Sequence, residues 1–123
     1  MPLHWTIDSK DRLLILVAEG DITRAEFEAC LDVIDKAGLH PYRKLFDGAH
    51  GATSMGPENL LAMGVRMRAS HQTETVGPLA VVVPEDKIAM ISRVLGMLAA
   101  ASRPMRIFHE SGPARDWILK QPL

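Results

Sequence analysis

Asp47, His50 and Ser54 supply the acid, base and nucleophile types of a hydrolase triad within one short stretch of chain. A working triad needs a base oriented by a third group and a nucleophile beside an oxyanion hole. The strained Gly-x-Ser-x-Gly elbow that presents such a serine is absent from the sequence. No enzymatic activity is therefore expected. The same stretch, Gly48-Ala49-His50-Gly51-Ala52-Thr53-Ser54-Met55-Gly56, suits binding better. Its glycines let backbone approach a ligand closely. Pro57 and Glu58 follow as the opening of a helix, whose first N–H groups and positive dipole end favour an anion or a phosphorylated side chain. Asp47, His50, Thr53, Ser54 and Gly56 are the candidate ligand or phosphate-site residues.

The remaining chemistry-bearing residues point to less. His4, His40, His50, His71 and His109 include no pair at His-x-x-x-His spacing. No metal site and no cofactor are expected, and the histidines read as surface residues. Cys30 lies on an apolar helix face and reads as a small buried hydrophobe, not a reactive thiol. Arg66, Arg68 and His71, with Arg43 and Lys44, read as solvated surface charge, because Arg66 and Arg68 diverge on a helix.

Composition narrows the class. With 123 residues the chain matches one domain, and 47% hydrophobic against 24% charged residues gives it enough apolar surface to fold without staples. A net charge of -1 with no basic stripe argues against nucleic-acid binding. One cysteine excludes an internal disulfide and fits a reducing compartment. The opening Met1-Pro2-Leu3-His4-Trp5 has no basic stretch leading into an apolar run, so no signal peptide is expected. The most apolar segment, Ile88 to Ala101, is interrupted by Arg93 and is too short to span a bilayer. A cytoplasmic protein that does not cross a membrane is the expectation.

The elements that must position the loop follow from periodicity. His4 to Asp8 and the aliphatic run Arg12 to Ala18 predict an antiparallel hairpin around the turn residues Ser9, Lys10 and Asp11. Thr23 and Glu26 form a capping-box pattern. Beyond it, Phe27, Cys30, Leu31 and Ile34 share one helical face, Glu28, Asp32 and Asp35 point away, and Gly38 marks the stop. Tyr42 to Asp47 is a third strand, and a second helix runs from Pro57 to about Ser70. Pro78 to Val83 is a fourth, central strand. A third helix runs from Pro84 to about Ala101. Met105 to His109 is a fifth strand, and Ala114 to Lys120 a last helix. This order predicts an α/β fold: a five-stranded mixed, mostly parallel sheet with about four helices.

The order, with its initial hairpin and small-residue loop after the third strand, resembles the STAS domain of bacterial anti-sigma-factor antagonists. It is most similar to the SpoIIAA-like group, itself related in fold to CRAL-TRIO lipid-binding domains. The residues that carry the resemblance are Trp5 with Ile7-Asp8, Glu19-Gly20-Asp21-Ile22-Thr23, Tyr42-Arg43-Lys44-Leu45-Phe46-Asp47, Gly77-Pro78-Leu79-Ala80-Val81, Arg103-Pro104-Met105-Arg106-Ile107-Phe108, and Ala114 with Trp117. The resemblance implies a single STAS-like domain over residues 1–123. It also implies a strand-end acid at Asp47 and a phosphorylatable serine near Ser54. Thr53 stands where the antagonists carry an acid before that serine, and Met55 where they carry a second one.

Ile88, Ile91, Leu95 and Leu98 make one apolar stripe on the third helix, and Met90, Val94, Met97 and Ala101 a second. A helix covering a sheet keeps a polar outer face. The second stripe is therefore a candidate interface, with a homodimer through this helix as the expected assembly. The expected function is a non-enzymatic regulatory or binding module acting through protein–protein contacts, gated by a phosphate or anion at the loop. The alternative is a carrier or sensor of a small apolar ligand or lipid.

Overall fold

A computed structural model describes residues 3–52, 77–89 and 104–122, together with the helical positions 58, 59, 62, 65, 66, 69 and 92. The five expected strands form one sheet, β1 Leu3–Asp8, β2 Leu13–Asp21, β3 Arg43–Ala52, β4 Leu79–Val82 and β5 Met105–Phe108. Their spatial order is β1-β2-β3-β4-β5. β1 and β2 are antiparallel, and the other neighbours are parallel.

Two α-helices are delimited among the described residues, α1 Arg24–Lys36 and α2 Ser111–Leu119, and not the four expected. Nine further described positions, between β3 and β4 and between β4 and β5, are helical. They are Glu58, Asn59, Ala62, Val65, Arg66 and Ala69, then Ile88, Ala89 and Ser92. Glu85–Lys87, read as the start of the third helix, forms a 3-10 turn. α2 begins before Ala114, and its first turn includes Gly112 and Pro113. Proline is tolerated there because first-turn N–H groups have no intrahelical acceptor.

Side-chain alternation divides the core between the two faces of the sheet. Leu14, Leu16 and Ala18 of β2 pack with Cys30 and Ile34 of α1. Leu13, Leu45, Ala80 and Val82 pack with Ala114 and Ile118 of α2 on the other face. Leu79, Val81 and Val83 form a third cluster with Ile88, Met105 and Ile107.

α1 starts as its pattern predicts, with the Glu26 amide donating to Thr23 Oγ1 at 3.2 Å. It ends in a Schellman arrangement. Gly38, at φ 67°, donates to Asp35 O, and Leu39 donates to Ile34 O. Leu39 and Ile34 both join the α1 core. Burial pushes the Cys30 thiol up to about 11, so it stays protonated at neutral pH.

Candidate functional site

The candidate site grows from the end of β3. The segment Gly48 to Ala52, read as loop, is strand. β2 likewise continues past Ala18 to Asp21, so Glu19 lies beside His50, Gly20 beside Gly51 and Asp21 beside Ala52. Glycine and alanine are poor strand formers. Here the parallel ladder satisfies their backbone groups, which local sequence does not reveal. Within β3, only Lys44 to Asp47 pair with β4. Among the described strands, the tips of β2 and β3 therefore form a two-stranded projection beyond the carboxyl end of β4, where open α/β sheets hold their ligands.

A bulge sets the register of that projection. Asp47 lies beside Val17 and His50 beside Glu19, so two residues of β3, Gly48 and Ala49, oppose Ala18 alone. A Cβ on Gly48 would lie 3.0 Å from Val82 O and 3.1 Å from Phe46 Cε1, which explains glycine there. The extra residue brings Asp47 and His50, three apart in sequence, to register positions of like parity.

Asp47 is half-buried, and both of its carboxylate oxygens are engaged. Oδ1 accepts from the Ala49 amide at 3.1 Å, which holds the bulge. Oδ2 accepts from Ser111 Oγ at 2.7 Å, which ties the end of β3 to the first turn of α2. His50 is exposed. At the neighbouring strand end, His109 Nε2 lies 3.8 Å from Glu110 Oε1, an exposed pair. Among the described residues no group of three or more His, Cys, Asp or Glu side chains gathers as a metal site would require. Thr53, Ser54 and Gly56, and the interface candidates Met90, Val94, Met97 and Ala101, lie outside the described residues.

Several charged residues read as surface groups are structural. Arg66 donates to Asp32 Oδ1 at 2.5 Å and to Asp35 Oδ2 at 3.2 Å, and Arg24 donates to Asn59 Oδ1 at 3.0 Å. The acidic face of α1 thus meets the helical positions after β3, where the sequence showed only an outward-pointing stripe. His40, read as a surface residue, is 7% exposed and pairs through Nε2 with Asp35 Oδ1. The reversal at Gly38 makes that contact, which no linear spacing rule anticipates. Lys44 is 5% exposed, and its Nζ donates to His40 O at 2.6 Å and Tyr42 O at 3.0 Å. Arg43 donates to Gln121 O at 2.8 Å and Asp11 O at 2.5 Å. Gly77 lies against the backbone of Pro41 and Tyr42, so closely that no Cβ fits. The α1–β3 connection is thereby fixed by buried polar contacts.

Among the described residues no helix is long and apolar enough to cross a membrane. No curated protein and no solved structure matches the chain. The family model described as SpoIIAA-like matches residues 13–119. That span runs from the first residue of β2 to the last residue of α2, and leaves out only β1 among the delimited elements. With most of its length and four of its five strands inside that match, the chain belongs to the SpoIIAA-like family.

Proposed function

We propose that this chain is a non-enzymatic, STAS-like regulatory module of the bacterial cytoplasm. It binds a protein partner at the surface formed by the β2–β3 projection. The observation that carries the reading is the state of Asp47. An acid held by Ser111 Oγ and by the Ala49 amide organises the strand end and is poorly placed to orient a histidine for proton transfer. An exposed His50 beside Glu19 suits recognition.

Membership of the SpoIIAA-like family supports a module of the anti-sigma-factor-antagonist kind. A phosphate on Ser54 would add up to about two negative charges to a segment that follows the Asp21–Ala52 pair. A partner presenting basic residues would read that change.

The test compares Ser54→Asp and Ser54→Ala in the full chain. Both are expected to keep the parent melting temperature. Ser54→Asp is expected to change the amount of partner recovered, measured by quantitative mass spectrometry of affinity-purified material. Unchanged recovery in both variants removes the phosphate gate. A lipid of constant mass retained in native mass spectrometry would instead support the apolar-ligand carrier.

A further inference from the structure

We infer that β1 is a self-pairing edge: two copies of this chain join antiparallel through Leu3–Asp8, centred on Thr6, to make one continuous sheet across a twofold axis. This goes beyond the partner-binding reading and uses a different surface, one outside the family match.

β1 and β5 are the two edges of the sheet. Exposed edges are commonly blunted by shortness, proline, internal charge or a bulge. β5 is four residues long and carries Arg106 in its middle. β1 is six residues long, Leu-His-Trp-Thr-Ile-Asp, pairs with β2 in unbroken register, and contains no proline and no lysine. Its only carboxylate is at its end. Trp5 is 36% exposed and Ile7 44%, large apolar side chains two apart on one face of the edge strand. His4 and Thr6 are exposed on the other face.

The occupant is argued from self-complementarity. A twofold axis normal to the sheet keeps each side chain on its own face, so opposed residues have like parity and the axis passes through a residue pair. Centring on Thr6 sets His4 against the partner's Asp8 and Trp5 against the partner's Ile7, each twice. Aromatic–β-branched pairs are favourable cross-strand neighbours, and an imidazole N–H can donate a hydrogen bond to a carboxylate. Centring on Trp5 sets His4 against Thr6 and Asp8 against Pro2. Centring on Ile7 sets His4 against Lys10, whose side chain offers no acceptor for an imidazole N–H. Of these three registers, only the one centred on Thr6 brings together the apolar pair and the His4–Asp8 hydrogen-bonding pair. Asp8 is fixed at its strand end because Oδ1 accepts from the Lys10 and Asp11 amides at 3.0 and 3.1 Å. One six-residue edge is a small interface, so the dimer is expected to be weak and in exchange with monomer.

Sedimentation equilibrium on the full chain, from about 1 to about 500 µM, should show mass rising from 13.5 kDa toward twice that value. Thr6→Lys sets two ammonium groups against each other on the axis and should raise the dissociation constant at least about tenfold. His4→Glu should weaken the dimer, and His4→Lys should preserve it. Thr6→Cys should form an intermolecular disulfide on mild oxidation, because directly opposed residues lie about 4.5 to 5.5 Å apart at Cα, within disulfide reach. Trp5→Cys should not, and the buried Cys30 gives little background. Monomer at every concentration overturns the inference, as does a dimer insensitive to Thr6→Lys or one that cross-links faster through Trp5→Cys. A dimer lost only in the double variant Val94→Glu, Met97→Glu overturns it in favour of the apolar stripe after β4. If Thr6→Lys fails to fold, the cysteine comparison decides alone.

Discussion

Asp35 shows how one carboxylate becomes structural. Burial acts to raise its pKa from 3.8, but hydrogen bonds from His40 and Arg66, together with their charges, outweigh it and hold the carboxyl below the ordinary range. A carboxylate whose folded pKa is depressed adds stability that is fully present above its unfolded pKa. That stability is lost as pH falls through the lower folded value. The side chain is 47% exposed, so solvent screens much of the effect. Asp35→Asn is expected to melt below the parent chain at pH 7. The gap should shrink as pH falls below the ordinary value of 3.8 and on through the lower folded value, where the parent's carboxylate is protonated too. A gap constant across that range, followed by circular dichroism, would show that Asp35 acts by packing alone.

Among elements, β3 carries the described part of the candidate site, and its bulge is the feature that substitution tests most directly. A Cβ at Gly48 would lie 3.0 Å from Val82 O and 3.1 Å from the Phe46 ring, so even a methyl group requires its neighbours to give by a few tenths of an ångström. Gly48→Val must push β4 or Phe46 aside, or abolish the bulge and shift His50 out of register with Glu19. The expected loss is about 2 kcal/mol in urea denaturation, with a smaller loss for Gly48→Ala. A Gly48→Val protein as stable as the parent would mean that the bulge relaxes without cost. Nothing local distinguishes Gly48 from Gly51, since the requirement comes from a carbonyl on β4, more than thirty residues away.

At the scale of the molecule, the sheet is covered on both faces, and β4 runs through the middle of the packing. Val82 is fully buried with Leu13, Leu45 and Ile118. Val82→Asp would bury an unpaired charge, a change costing upward of about 4 kcal/mol. Soluble folded protein should be lost. A cooperative melt of soluble Val82→Asp protein would refute the central placement of β4. The edges of the same sheet are where a second copy could add, so the self-association proposed above belongs to the sheet as a whole, with β1 as an outermost strand.

The amino-acid sequence alone determined the elements whose signals are local. Period-2 and continuous apolar runs marked all five strands to within a few residues, apart from the ends of β2 and β3. Thr23, Glu26 and Gly38 marked the caps of α1, because capping uses neighbours in sequence. The sequence also pointed to the end of β3 and to Asp47. Only the tertiary structure decided what Asp47 does, because its partner Ser111 comes from the last helix. The same holds for His40 and Arg66, which meet acids of α1 through a chain reversal and a neighbouring segment. It holds for Gly48 to Ala52, which lacks strand propensity and is strand only because β2 lies beside it. Periodicity reports which face of an element is apolar. Polar partners, register and bulges are set by groups distant in sequence, and folding alone brings these together.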